Sequence, residues 1–203
     1  MNKLAEYIQS GILEMYALGA ASPEEAAQVE EMAAAHPEIR AELEAVRDAL
    51  ENYATAHAVE PHASIKTMVL ATIDFMTRLQ SGEQASFPPV LNENSSPEDF
   101  ASWTNRPDMV LPEDADDMYA KIIGYTPQMT TAIAWIKEMA PDEVHHDEFE
   151  KFLILEGTCE ITFGDEVHKL SAGDYLSIPL HLDHVVKVTS KEPCKVILQR
   201  IAA

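Results

Sequence analysis

Cysteine is scarce in this chain: Cys159 and Cys194 are the only two in 203 residues, and they stand far apart with no CxxC pattern. A disulfide framework or a zinc site built of cysteines therefore has no support. Basic residues are scarce as well, 14 Lys and Arg against 35 Asp and Glu, for a net charge of −21. So acidic a surface repels phosphate backbones and anionic lipid headgroups, which weighs against direct nucleic-acid or membrane-surface binding and favours a basic protein partner. The plainer alternative is that the acidic excess serves solubility. No apolar run approaches the ~18 residues that span a bilayer. The opening MNKLAEYIQSGILEMYALGAA carries an acidic residue on each side of its apolar middle, unlike a secretory signal, so the expected location is the cytoplasm. Solenoid-type repeats are absent too.

What is present is a chain with 46% hydrophobic and 24% charged residues, ordinary for a globular protein and long enough for one or two domains. From Leu4 to about Leu79 the apolar residues recur at helical spacing. The first helix is expected over Leu4 to about Leu18, closed by Gly19. Ser22-Pro23-Glu24-Glu25 has the form of a helix start, with Ser22 and Glu25 as a capping box and Pro23 in the first turn. His36-Pro37 separates this second helix from a long third one, in which Ile39, Leu43, Val46, Leu50 and Tyr53 form one stripe. A fourth helix after Pro61 places Ile65, Val69, Thr72/Ile73 and Met76 on one face.

Residues 80 to about 105 are rich in Ser, Pro, Asn and Glu, and form a linker or an ordered loop from which Phe87, Phe100 and Trp103 are expected to pack on a neighbour. Beyond it the period becomes two. Short strands are expected over 118–123, 131–136, 152–155, 159–163, 175–178, 185–188 and 195–199, spaced as in an antiparallel sandwich or barrel. The expected class is α+β: a helical bundle over 1–80, a linker over 81–110 and a β-domain over 111–203.

Two stretches of the β-region carry more than a fold. Glu150 is followed by six residues and Gly157, and Gly173 to His184 reads G-x5-P-x4-H through Pro179. Together these resemble the two motifs of the cupin family, G-x5-H-x-H-x3-4-E-x6-G and G-x5-P-x-G-x2-H-x3-N, over about residues 115–200. The resemblance implies a double-stranded β-helix, the cupin jelly roll, with motif histidines and a glutamate around a divalent metal. Glu150 then matches the glutamate and His184 the second-motif histidine. The first pair departs from H-x-H. Three spacers before Glu150 give His146 and Val144; four give His145 and Glu143. In an unbroken strand Val144, His146, Glu148 and Glu150 share a face, which favours His146, Glu150 and His184 as ligands with His145 or Glu148 as a fourth. Imidazole plus carboxylate suits Zn first, and also Fe, Mn or Ni. His181 and His168 are expected at turns or the rim.

The helical region has a resemblance of its own. Tyr16-Ala17-Leu18-Gly19-Ala20-Ala21-Ser22-Pro23-Glu24-Glu25 is similar to the helix junction of anti-sigma factors for extracytoplasmic-function sigma factors, some of which, the ChrR type, continue into a cupin domain. The zinc-binding H-x3-C-x2-C of that family is replaced here by Met32, His36 and Ile39, so the helical unit is expected to be metal-free. The resemblance implies a regulator that binds a sigma factor through its helices and senses a signal through the cupin. The competing reading is a metal-dependent cupin dioxygenase or isomerase with a helical dimerisation cap, in which Glu148 or Tyr175 acts as acid or base. A homodimer is compatible with either.

Overall fold

The computed structural model describes residues 3–203, which divide into two compact units, the first ending at Glu60 and the second spanning Pro61–Ala203. The first unit holds α1 (Lys3–Ile8), α2 (Ile12–Ala17), α3 (Pro23–Ala35) and α4 (Pro37–Ala56). The single first helix expected from the apolar spacing is two. Gly11 takes φ +82°, a left-handed conformation suited to glycine, and Ser10 donates to the Tyr7 carbonyl while accepting from Ile12 N–H. The capping box forms as expected: Ser22 N–H donates to Glu25 at 2.8 Å and Glu25 N–H to Ser22 Oγ at 3.3 Å.

Leu13, Val29, Ile39 and Leu43 are the buried core of this unit. The stripe on α4 fades after Leu43. Val46 and Leu50 are half-buried, and Tyr53 is exposed and stacks on His57 at 4.2 Å. Partner helices reach only the first turns of α4, so the later stripe residues have nothing to bury against.

The second unit opens with α5 (Ala63–Gln80). The sequence reading groups this helix with the N-terminal ones, but it packs on the β-structure that follows. Its buried face is Ser64, Ala71 and Phe75, with Leu79 beside them; the stripe of Ile65, Val69, Ile73 and Met76 is about half exposed. Both faces have helical spacing, and the sheet selects the one that also places Arg78 against the Ile122 carbonyl, Asp74 and Glu83. Burial of Phe75 contributes about 2–3 kcal/mol.

Nine strands follow: β1 (Met118–Thr126), β2 (Met129–Ile136), β3 (Met139–Glu143), β4 (Glu148–Glu156), β5 (Thr158–Phe163), β6 (Glu166–Ser171), β7 (Tyr175–Ile178), β8 (His184–Val188) and β9 (Cys194–Ala202). They form an antiparallel jelly-roll sandwich of two sheets, ordered β1-β2-β9-β4-β7 and β3-β8-β5-β6. Strands β3 and β6 are additions to the expected set. β3 carries Pro141 and two acidic residues, and β6 holds His168 stacked on Phe163, so neither has an apolar run to reveal it.

The larger sheet is buried on both faces. Ala132, Ala134, Ile136, Phe152, Ile154, Val196 and Leu198 point inward to the sandwich core, which α5 completes with Ala71 and Phe75. Ile133, Trp135, Leu153 and Ile197 point outward, under Leu91, Phe100 and Met109 of the long segment before β1. That segment contains a 3-10 turn, Pro97–Phe100, and the short helix α6 (Ala101–Thr104). Gln199 pins it by accepting from Leu91 N–H and donating to the Pro89 carbonyl. A side chain at Gly124 would meet Pro88 Cδ at 2.3 Å, so glycine there lets the segment lie on β1. Phe100 and Trp103 pack as expected, whereas Phe87 stays 69% exposed.

Among the described residues no helix is long and apolar enough to cross a membrane. Cys159 and Cys194 are free and buried, and both lie in the sandwich core.

Candidate metal centre

The inner face of the sandwich is apolar except at one end. Glu150 shares the parity of Phe152 and Ile154 on β4 and so points inward. Register places Arg200 of β9 directly across from it and His184 of β8 across from Glu143 of β3. Glu143, His145, Glu150 and His184 thereby converge from both sheets, with one donor atom from each within 4.8 Å of the others. Glu150 and His184 are only 2% and 4% exposed.

Within this cluster His184 Nε2 lies 2.8 Å from Glu150 Oε2, and Arg200 Nε donates to Glu150 Oε1 at 2.9 Å. Arg200 Nη2 donates to Glu143 Oε2. His145 Nε2 sits 3.4 Å from Glu143 Oε2 and 3.5 Å from Glu150 Oε2. Burial opposes ionisation of Glu150, but the neighbouring His145 and His184 imidazoles and the Arg200 charge hold its carboxyl well below the usual carboxylate range. Burial also opposes ionisation of Glu143, and His145, Arg200 and the Ser64 hydroxyl outweigh it in the same direction. His145, facing Glu143 first and Glu150 second, is pushed up to about 9. At neutral pH, then, two carboxylates face two positive groups, Arg200 and protonated His145.

Two features fit this donor set to a divalent cation. Bonds of ~2.0–2.2 Å at the tetrahedral angle separate neighbouring ligand atoms by about 3.3–3.6 Å, and His145 Nε2 keeps that separation from both carboxylates, too long for strong hydrogen bonds. His145 Nε2 and His184 Nδ1 are buried without a hydrogen-bond partner among the described residues. Two imidazoles and two carboxylates could hold Zn, Fe, Mn or Ni by displacing the proton on His145.

Of the expected ligands, His145, Glu150 and His184 meet here. His146 does not: it is exposed, and its Nδ1 lies 3.0 Å from His181 Nδ1. Glu148 pairs with Ala202 at the rim, outside the cluster, and Tyr175 packs on the outer face of the large sheet, which removes both as groups facing the centre. The alternation that favoured His146 presumes one strand from Val144 to Glu150. Instead the chain leaves the smaller sheet after Glu143, bends, and enters the larger sheet at Glu148, so parity does not carry across. The four-spacer count, Glu143 with His145, is the arrangement the fold makes. Arg200 was missed by motif reading; its signal was a charge in phase with Cys194, Val196 and Leu198 on an inward-facing run.

The cluster itself borders a small space: a cavity of about 20 Å³ is walled by Glu143, Glu150, His184 and Arg200 together with Phe152 and Leu198. On the outer side a shallow cleft of about 290 Å³ runs past Glu143, His145 and Arg200 to His62 and Ser64.

Comparison with known proteins identifies the fold of this unit. The cupin domain model matches residues 135–199. A cupin superfamily protein from Desulfitobacterium hafniense is 18% identical, with a TM-score of 0.43 over 60% of this chain and 100% of its own. A cupin-2 domain protein from Shewanella frigidimarina is 22% identical, with a TM-score of 0.39 over 46% and 86%. The Cnp3 cupin domain of Schizosaccharomyces pombe is 13% identical, with a TM-score of 0.42 over 44% and 67%. No curated protein matches the sequence.

Proposed function

With a cupin domain as its C-terminal unit, the protein is, we propose, a regulator rather than an enzyme: an anti-sigma factor whose helices bind an extracytoplasmic-function sigma factor and whose cupin senses a signal through the cation-binding cluster. The observation that carries this reading is the small space at the cluster. At about 20 Å³ it accommodates a water-sized ligand, and the cleft of about 290 Å³ beside Glu143, His145 and Arg200 is shallow and open. A cation, or a small oxidant reaching it, fits a sensor; a dioxygenase or isomerase needs a chamber for its substrate.

The helical unit supports the same reading. Met1–Glu60 has a core of its own, and with three basic against twelve acidic residues it carries a net −9. Sigma factors present basic DNA-binding surfaces, to which such a unit is complementary. The junction from Tyr16 to Glu25, on which the anti-sigma resemblance rests, forms the end of α2 and the capping box of α3.

In the cluster, Glu143, His145, Glu150 and His184 would hold the cation, which supplies Lewis acidity or redox chemistry according to its identity. Arg200 keeps both carboxylates aimed at the centre. His145 would hold such a cation only with its ring deprotonated.

Gentle capture of the full chain from its native host tests the proposal. A sigma factor recovered in near-equal amount is the expected result. Cation-loaded protein that captures none, yet turns over a small organic acid or sugar, would transfer the function to the outer cleft and to the enzyme reading.

A further inference from the structure

Outside the cluster two further histidines stand face to face. His146 Nδ1 lies 3.0 Å from His181 Nδ1, with the rings tilted by 31° and their centroids 5.3 Å apart, and both residues are exposed. The backbone holds them together: His181 N–H donates to the His145 carbonyl at 2.8 Å. His181 does so at φ +63°, in the left-handed region. In the motif G-x5-P-x-G-x2-H the same place, two after Pro179 and three before His184, belongs to glycine, which takes that conformation without strain. A histidine there costs backbone energy and, being exposed, adds nothing to the core; strain of this kind collects at ligand clamps.

We propose that His146 and His181 form a second cation site, open to water, which takes a metal of tetragonal geometry, Cu²⁺ first and Ni²⁺ after it, through the two Nδ1 atoms. A hydrogen bond between the rings requires one of them to carry its proton on Nδ1; with both protons on Nε2, two lone pairs meet across the same gap. That gap is the separation of neighbouring ligands on one ion: bonds of ~2.0–2.1 Å at a right angle set two nitrogens about 2.8–3.0 Å apart, against about 3.3–3.4 Å at the tetrahedral angle. The inner donors, with His145 Nε2 at 3.4 and 3.5 Å from its carboxylates, keep the wider spacing. Among the described residues only the inner set brings three or more potential ligands together, so the outer pair completes its shell with water and is the weaker site. It stands whether or not the inner cluster is filled and whatever residues 1–60 bind. His146 adjoins His145, and His181 lies three residues before His184, so a cation here ties together the two segments that deliver inner ligands.

The test titrates the full-length chain with Cu²⁺ alone, by calorimetry and by electron paramagnetic resonance. Because Cu²⁺ also suits the inner donors, variants separate the two sites. Wild type should show a binding event whose spectrum reports two nitrogen ligands in a square plane, and both His146→Ala and His181→Gly should lose it. Glycine is at ease at φ +63°, so loss in His181→Gly with thermal unfolding unchanged within a few degrees is loss of a ligand and not of the fold. His145→Ala keeps the backbone carbonyl that holds His181 and should retain the event while losing the inner one. A Cu²⁺ event that survives in either His146→Ala or His181→Gly, or no event that these two variants share, would overturn the outer site. An event lost only in His145→Ala would leave the inner cluster as the sole site and overturn it equally.

Discussion

His145 and His146 are neighbours in sequence and opposites in the fold. His145 turns inward, faces two carboxylates and shares the cluster with His184, its ring 5.4 Å from that of His184. His146 turns outward and pairs with His181, ring to ring at 5.3 Å, in water. One pair carries charge relationships that set protonation and could hold a cation against carboxylates; the other has a hydrogen bond that solvent could replace. The difference shows that residue type sets what a site can do only after the backbone has decided which way each residue faces.

The largest effect should come from removing the carboxylate that anchors the buried pair. Glu150→Ala leaves Arg200 and His145 without their common partner in a water-poor site, and loss of one member of a buried ionic network costs about 3–5 kcal/mol. Urea unfolding should report that loss together with the loss of divalent-cation binding. An intact cation isotherm in this variant would place the site elsewhere.

Next in size is the direct contrast between neighbours. His145→Ala should abolish tight cation binding, and His146→Ala should leave it within about twofold and stability within about 0.5 kcal/mol, as for a surface substitution. Equal losses in the two variants, measured by isothermal titration, would erase the distinction between the pairs.

The third effect is pH dependence. Without a cation, His145 is raised from 6.5 to about 9, so its contribution is complete below pH 6.5 and is lost as pH climbs through 9. That contribution is on the order of 2–3 kcal/mol. Glu143 and Glu150 are lowered from 4.5, so theirs is present above that value and is lost in acid. Cation-free protein should therefore be most stable between about pH 5 and 6.5. Cation affinity should run the other way, rising tenfold per pH unit up to about 9 as one proton is displaced. A flat affinity between pH 6 and 9 would mean that His145 does not ligate.

The smallest effect concerns the exposed pair. His181 holds φ +63°, the only positive value outside glycine among the described residues. His181→Gly removes about 1 kcal/mol of left-handed strain and the contact with His146, so thermal unfolding should shift by no more than a few degrees. A large destabilisation would give the outer histidines a structural role that their exposure does not suggest.

Much of the centre was legible beforehand because cupin motifs are local. Glu150 and His184 were marked by the resemblance to those motifs, and the alternation of β4 put Glu150 inside. His146 was favoured for a reason that holds within one strand and fails at a bend, and bends between sheets leave no period to detect. In the helices the capping box was readable from four residues, while the break at Gly11 was hidden by a continuous apolar spacing. For α5 the spacing was correct and the face was not, because Ile65, Val69, Ile73 and Met76 compete with Ala71, Phe75 and Leu79 and only the neighbouring sheet chooses.

The sequence by itself determined the order of elements, the change of period from helix to strand, the acidic balance and the residue types of the centre. These are properties of short windows, where a few side chains and their spacing set the local free energy. Tertiary structure decided the rest: that α5 belongs with the sandwich, that Cys159 and Cys194 share its core, that Glu143 and Arg200 join the cluster and that His146 leaves it. Each of these follows from strand register and sheet-to-sheet packing, which bring together residues far apart in the chain and which no local pattern encodes.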